Sequence, residues 1–454
     1  MITAKDHRQA APHPNGMRST ATAPTIDGVR IHMLDVELSE PLPPVGQKAA
    51  DGRTASRAWL LVRLFGEPLG IERIEIPPAG VDTAQLTQVL RDHWADSILA
   101  RGSTPADPAS ERLAVTPTPF VADHRRHLAT AAPVSVVVCT RDRPVDLARC
   151  LQSLTEQDHP RLTVWLVDSA PRTDATRDLV DTFADRLALR YVHEPAPGLS
   201  RARNRALAQD LDDLVAWLDD DEVADPNWLS ELTRALEARP QASGVSGMVV
   251  PAELESTAQI WFEQFGGHSK GRGFTAQDFT PDARPRQHPL FPLPAFGVGA
   301  NMAFRTSALR RLGGFDPALG AGTRTRGGED TRMFSEILRR GGTTLYRPSA
   351  LTRHYHRRDL EGLTAQMRGY GTGLTAFYAA MTLDDPRVAV DLIRLAGRAA
   401  RALLPASSVR AATLEPDFPR ELLRENRRGM VTGPILYLRQ RAADRSSLRD
   451  GAPC

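Results

Sequence analysis

Runs of apolar residues separated by polar breaks divide the chain into stretches of different period. Val29 to Val36, Trp59 to Phe65 and Ile71 to Ile76 read as short strands, the last two joined through Gly66-Glu67-Pro68-Leu69-Gly70. Residues 83–99 repeat apolar positions at helical spacing through Leu86, Val89, Leu90 and Trp94. From Pro133 the pattern changes. Val134–Cys139, Leu162–Val167, Leu189–Val192 and Leu214–Leu218 form largely apolar runs, with helical stretches over 145–154, 176–184 and from about Ser200 between them. Strands apolar on both faces that alternate with helices predict a mostly parallel sheet with helices on both faces, an α/β class. After His356 the period is helical again, through GLTAQMRGYGTGLTAFYAAM and a segment rich in Leu, Ala and Arg, with a short last helix expected near GMVTGPILYLRQ. The polar residues 1–25 and the proline-bearing residues 101–130 carry neither period, and are expected as a disordered terminus and a linker. The expected organisation is 1–25, a small α+β domain over 26–100, the linker 101–130, a main α/β domain over 131–360, and a helical region over 361–454.

Composition narrows the classes. The 454 residues are 41% hydrophobic and 25% charged, as in a soluble globular protein with room for two or three domains. A net charge of +2 supplies no electrostatic ground for nucleic-acid binding. Cys139, Cys150 and Cys454 are too few and too poorly spaced for a disulfide framework or a thiolate zinc site, which fits a reducing cytoplasm. The opening residues lack the apolar stretch of a signal peptide, and no window is apolar enough to cross a bilayer. The expected location is therefore the cytoplasm. Arg394, Arg398 and Arg401 share a helical face, with Arg387 and Arg410 along the same segment. Such a face either lies on the anionic inner surface of a membrane or is a solvated face packed on its own domain.

The candidate chemistry sits at strand ends. Thr140 and Asp142 follow the first strand of the main domain, Asp168 the second, Glu194 the third, and Asp219-Asp220-Asp221 the fourth. Each alone is as well explained by capping of the next helix. In a parallel sheet, however, all these ends lie on one edge and can converge on one ligand. Three adjacent carboxylates repel one another and call for compensating charge, for which a divalent cation that also binds phosphate oxygens is the natural candidate. A solvated acidic turn before Asp225-Pro226 is the other reading. No glycine fingerprint follows the first strand, where Thr140-Arg141-Asp142-Arg143-Pro144 stands; this argues against a dinucleotide site and a P-loop. Glu329-Asp330 opens a helix between Gly327-Gly328 and Gly341, where acids are favoured by the helix dipole.

VSVVVCTRDRPVDLARCLQSL, LTVWLVDS, PGLSRARNRAL, VAWLDDDEVADPNWL, FGVGANMAFRTSALRRLGGFD, GGEDTRMFSEILRRGG and RPSALTRHYHRR occur in this order. In content and spacing this series resembles the family 2 glycosyltransferases of the GT-A fold, from about Val134 to about His356. The resemblance implies that Thr140, Arg141 and Asp142 lie by the donor's nucleoside and that Asp168 accepts a hydrogen bond from the base. Ser169-Ala170-Pro171 departs from the second acid, glycine and serine common in the family, leaving the base open among uracil, thymine and guanine. Arg203 and Asn204 would lie beside the diphosphate and the metal. In the aspartate triplet, with Asp220 at the donor site, Asp221 would ligate Mn²⁺ or Mg²⁺, and Asp219 would reach the ribose or the metal's waters. His354 would complete the metal shell, with His356 as the alternative; an imidazole suits Mn²⁺ better than Mg²⁺. Asp330 would be the general base, its carboxylate adjusted by burial or by Glu329, and Gly299 and Asn301 would line the sugar pocket.

The implied activity is inverting transfer of a sugar from a nucleoside diphosphate sugar to a hydroxyl of a glycan or lipid-linked acceptor, in cell-envelope polysaccharide assembly. The alternative is a non-catalytic nucleotide-sugar or glycan-binding protein of the same fold, against which the presence of both Asp221 and Asp330 argues. A sugar-1-phosphate nucleotidyltransferase would need a Gly- and Lys/Arg-rich loop after the first strand. TRDRPVD is not one, and Lys5, Lys48 and Lys270 are poorly placed for that chemistry.

Overall fold

The structure is a computed structural model that describes residues 30–49, 52–107, 110–281, 290, 296–403, 414 and 418–449. The expected disordered terminus over 1–25, Arg410, and the side chains of Arg398 and Arg401 lie outside the described residues.

The N-terminal unit is a three-stranded sheet. β1 (His32–Glu37) runs parallel to β2 (Arg57–Leu64), which pairs antiparallel with β3 (Glu67–Glu75). The turn between β2 and β3 is only Phe65-Gly66, at φ 50° and 84°. Two left-handed residues match the twist of a hairpin, so Glu67 to Gly70 are released into the strand instead of forming the expected longer connection. α1 (Thr83–Ala100) starts with an Asp82/Gln85 capping box and covers the sheet with Leu86, Leu90 and Ile98.

Residues 101–130 are not the irregular linker expected. Leu113 and Ala114 are buried in the N-terminal core, the Leu113 N–H donating to the Leu38 carbonyl at 2.8 Å. Pro119 begins α2 (Pro119–Thr130). Proline is favoured in a first helical turn, and the signal read as a break is here a helix start.

The main sheet has nine strands: β4 (Val134–Thr140), β5 (Leu162–Ser169), β6 (Leu189–Glu194), β7 (Leu214–Asp219), β8 (Glu222–Ala224), β9 (Ala242–Pro251), β10 (Gln277–Phe279), β11 (Asn301–Arg305) and β12 (Thr343–His354). Their order is β10-β12-β9-β11-β7-β4-β5-β6, with β8 on β12. The half β7-β4-β5-β6 is parallel, as is the β9–β12 pair, while β11 runs antiparallel between β7 and β9. Side-chain alternation sends Val134, Val136, Val138, Leu214, Ala216 and Leu218 to one face, under α3 (Pro144–Thr155) and α6 (Trp228–Ala238). Val137, Val215 and Trp217 go to the other face, under α5 (Leu199–Leu207), α8 (Thr306–Arg311) and α9 (Glu329–Arg339). Both faces are dry, which is why the strands read as continuous apolar runs. α4 (Ala175–Asp181) links β5 to β6, and α7 (Thr257–Gln264) follows β9.

The C-terminal region is helical: α10 (Leu360–Asp384), α11 (Arg387–Leu403) and α12 (Arg420–Arg449). The last is not the short helix expected. It continues through Pro434 because Gly429 and Gly433 let it lie directly on α10, where an added Cβ would strike the Arg368 carbonyl and Thr375 Oγ1. Among the described residues, no helix is long and apolar enough to cross a membrane.

Candidate active site

The carboxyl ends of β4, β5 and β7 open into one cleft of about 1050 Å³. It is lined by Thr140, Arg141, Ser169, Arg203 and the aspartate triplet, and by Gly299, Glu329, Asp330 and His354. Gln366, Tyr370, Asn426 and Met430 bring a further wall from α10 and α12. Among the described residues, none of its lining comes from the N-terminal unit.

The three aspartates differ in role. Arg143 Nη1 donates to Asp220 Oδ1 at 2.8 Å and to Asp221 Oδ2 at 2.9 Å, and Thr140 Oγ1 donates to Asp220 Oδ2 at 2.7 Å. Asp220 is therefore consumed by the protein. Burial and the Asp221 charge push its carboxyl up, against Arg143 and Thr140. Asp221 is buried too, but His354 and Arg143 outweigh that and hold it well below the usual carboxylate range. Its Oδ2 lies 3.4 Å from His354 Nε2. Burial lowers the His354 imidazole, yet Asp221 and Glu222 outweigh it and push it up to about 9. Asp219 pairs with Arg203 at 3.3 Å, its carboxyl raised by burial against that guanidinium. The charge compensation expected of a cation alone is thus supplied in part by Arg143, which the sequence reading passed over although it stands in the quoted TRDRP segment.

Arg203 is fully buried and donates to Glu329 Oε1 at 3.0 Å, to Asp219 and to the Gly299 carbonyl at 3.1 Å. It ties β7, the 297–300 loop and the start of α9 together. Burial and Asp330 push Glu329 up to about 7, against Arg203. Asp330 Oδ2 accepts from the Gly299 N–H at 2.7 Å and Oδ1 from the Thr331 N–H at 2.6 Å, so its carboxylate is fixed at the cleft by backbone. Gly299 is required there, since a Cβ would lie 3.1 Å from Asp330 Cβ and 3.2 Å from Arg203 Nη2. Gly328, at φ 93°, turns the chain into α9 where a side chain would meet the Gly373 carbonyl.

Five residues expected at the site have partners of their own. Asn204 does not face the cleft; its amide donates to the Phe315 carbonyl at 2.7 Å and accepts from the Phe315 N–H at 2.8 Å. Asn301 is wholly buried, donating to the Met248 and Ala350 carbonyls and accepting from Trp228 Nε1 at 2.9 Å. It pins β7's neighbour to the sheet rather than lining a sugar pocket. Asp142 holds Arg172 by its N–H and Nε at 2.9 and 2.7 Å. Asp168 is buried, Oδ2 accepting from the Tyr191 hydroxyl at 2.9 Å and Oδ1 without a hydrogen-bond partner among the described residues, and it is Ser169 beside it that lines the cleft. Glu194 accepts from the Ala196 N–H, a local cap. His268, Lys270 and Tyr370 at the cleft were not anticipated, because the loop after α7 and the face of α10 carry no strand-end signal.

The donor set fits a hard divalent cation. Asp221 Oδ2 and His354 Nε2 are separated by a distance that two ligands of one ion, each at about 2.1 Å, can adopt. The carboxylate is held ionised, and Asp219 stands beside it in the cleft.

Residues 135–313 match the family described as Glycosyl transferase family 2. The succinoglycan biosynthesis protein ExoM of Rhizobium meliloti is 31% identical over 225 residues, which cover 48% of this chain and 65% of that protein. A pre-mycofactocin glycosyltransferase of Mycobacterium tuberculosis is 29% identical over 248 residues, 52% of this chain and 46% of that protein. The chain thus spans about half to two thirds of these relatives' own length. A mannosyltransferase from Pyrobaculum calidifontis, solved in complex with GDP-Man and Mn2+, covers 78% of this chain and 99% of its own at 19% identity and a TM-score of 0.45.

Proposed function

The chain carries a family 2 glycosyltransferase domain, and from that premise we propose that it transfers a sugar, with inversion, from a nucleoside diphosphate sugar to a hydroxyl of a glycan or lipid-linked acceptor. The observation that carries the reading is the meeting, in one cleft, of an Asp221–His354 pair 3.4 Å apart with an Asp330 carboxylate held by two backbone N–H groups.

Asp221 and His354 would hold Mn²⁺ or Mg²⁺, with Asp219 beside them. When bound, such a cation neutralises the charge that builds on the leaving diphosphate. The protein's own groups do the rest. Thr140, Arg141 and Ser169 face the nucleoside end of the cleft. Arg203 keeps Asp219, Glu329 and the Gly299 loop in one arrangement, so the sugar site is set before the donor arrives. Asp330 takes the proton of the acceptor hydroxyl as its oxygen attacks the anomeric carbon opposite the leaving group. One base and one displacement give inversion. Burial and the Asp330 charge push its neighbour Glu329 up to about 7, against Arg203. α10 and α12 offer Tyr370, Gln366 and Asn426 to the acceptor. Peripheral contact with the inner membrane surface, through exposed Arg394 on α11, belongs to the same proposal and is read by co-sedimentation with anionic vesicles.

The test is nucleoside diphosphate release from UDP-, dTDP- and GDP-sugars with Mn²⁺ or Mg²⁺. Release from one donor class that depends on the cation, falls in Asp221→Asn, and drops by about 10²–10⁴ in Asp330→Asn is the expected result. Tight donor binding without turnover, unchanged in Asp330→Asn with acceptors supplied, would leave a binding protein instead.

A further inference from the structure

His354 and His356 are two apart in extended chain, so both rings point inward, and they are 5% and 3% exposed. Their Nδ1 atoms are 2.7 Å apart. His356 Nε2 lies 2.8 Å from Glu263 Oε1, and His354 Nε2 faces Asp221. The four groups form one line: Glu263, His356, His354, Asp221.

The proton positions along that line follow from the first member. An ionised carboxylate only accepts, so His356 Nε2 carries its hydrogen toward Glu263. A neutral His356 then has its lone pair on Nδ1. Two N–H groups cannot face each other across 2.7 Å, so the bond to His356 Nδ1 is donated by His354 Nδ1–H. That leaves Nε2, on the side where Asp221 stands, as the nitrogen of His354 that would give its lone pair to a cation once its own proton has left.

The surroundings are built to keep this order. Gln259 and Glu263 lie one turn apart on α7, and Gln259 Nε2 donates to the His356 carbonyl at 3.2 Å while Glu263 takes its ring. Phe262, between them, meets the His356 ring edge-on at 4.7 Å. Gly267, at φ 51°, passes so close to the Glu263 carboxylate that a Cβ would collide with it.

We propose that Glu263 and His356 are positioning residues that fix the tautomer and aim of His354, and thereby set the affinity of the cation site formed with Asp221. The inference rests on the reading of that site given above. It also divides the two histidines: His354 is the ligand and His356 its orienting partner. The sequence reading held His356 as an alternative ligand.

The competing arrangement is an ion held by three imidazoles. Ligand nitrogens of His268, His354 and His356 lie within 4.8 Å of one another, and His268 Nε2 is enclosed without a hydrogen-bond partner. It would require the bond between His354 and His356 to break.

The experiment uses the full chain, with free Mn²⁺ followed by electron paramagnetic resonance and folding checked by thermal melting. His356→Phe keeps an aromatic ring against Phe262 but has no acceptor; Mn²⁺ affinity is expected to fall about 10–100-fold. His356→Asn places an amide oxygen where Nδ1 was and should restore most of it. Glu263→Gln, still an acceptor, should bind nearly as wild type, and Glu263→Leu should resemble His356→Phe. Equal binding by wild type and a folded His356→Phe overturns this inference alone. No Mn²⁺ or Mg²⁺ binding by the wild type overturns the cation in the proposed function. A tetrahedral Co²⁺ spectrum that survives Asp221→Asn and disappears in His268→Ala overturns the relay in favour of the three-imidazole site.

Discussion

At the scale of residues, type and position did not settle role. Asn204 and Asn301 match the family text, yet each spends its amide on the protein's own backbone. Truncating either leaves buried donors and acceptors unpaired, at about 1–3 kcal/mol per group. Asn204→Ala and Asn301→Ala are therefore expected to lower the urea midpoint while donor KM in the folded fraction stays unchanged. A selective rise in KM would return them to the donor site. Arg143 shows the converse. Three carboxylates in series announce a need for positive charge, but not whether a metal or a guanidinium answers it. Arg143 reaches Asp221, the residue proposed to hold the cation with His354. Arg143→Gln should destabilise the metal-free protein, and added Mn²⁺ should raise the melting temperature of that variant more than that of wild type. Equal increments would separate Arg143 from the cation site.

At the scale of elements, the strands of the main sheet were legible because each is dry on both faces, as the alternation of Val136 and Val138 with Val137 between two cores shows. The full length of α12 was not. It contains Gly429, Gly433 and Pro434, and α10, helical by its period, contains Gly369, Gly371 and Gly373, all poor in isolated helices. They are tolerated because the absent Cβ atoms let the two backbones touch: one at Gly371 would run into the Asn426 carbonyl, one at Gly429 into that of Arg368. That gain belongs to a pair of helices and has no local signature. Gly433→Val should cost more than the usual overpacking of about 1–3 kcal/mol, since the Thr372 carbonyl must yield as well as the Thr375 side chain. Because α10 carries Tyr370 and Gln366 to the cleft, acceptor use should suffer with the melting temperature. A stable variant with intact turnover would detach the helical region from the site.

At the scale of the whole molecule, no described residue of the N-terminal unit lines the cleft, but the unit braces the strand that carries His354. Arg63 of β2 pairs with Asp35 and Asp225, and Arg353 of β12 reaches the same two carboxylates, at 2.6 and 3.4 Å. Arg63→Ala leaves Asp225 buried with only its weaker partner, at a cost of about 3 kcal/mol. Limited proteolysis should then release the N-terminal unit, whereas an unchanged digest would deny it a bracing role. The segment expected as a linker contributes a second clasp. His124 of α2 sits between Asp158 and Glu231 at 2.6 and 2.9 Å. Burial lowers its imidazole, but the two carboxylates outweigh it and push it up to about 9. A folded value above the unfolded one means that the contribution is complete below about pH 6.5 and is lost as pH rises through about 9. The melting temperature of wild type should fall across that window relative to His124→Gln; parallel profiles would exclude the clasp.

The amino-acid sequence by itself determined the period of each element, and with it the α/β class of the main domain. It also put Thr140, Asp168, Asp219–Asp221 and Asp330 at strand and helix ends, because periodicity and strand-end chemistry are local properties. Only the tertiary structure decided which of those ends face one cleft. Asp221, His354 and Asp330 do, whereas Asp142, Asp168, Asn204 and Asn301 are turned to Arg172, Tyr191, Phe315 and the β9–β12 backbone. The same holds for the proton order from Glu263 to His354 and for the glycine contact of α10 with α12. Each depends on groups 93 or 59 residues apart in the chain, brought together by packing that no local pattern records.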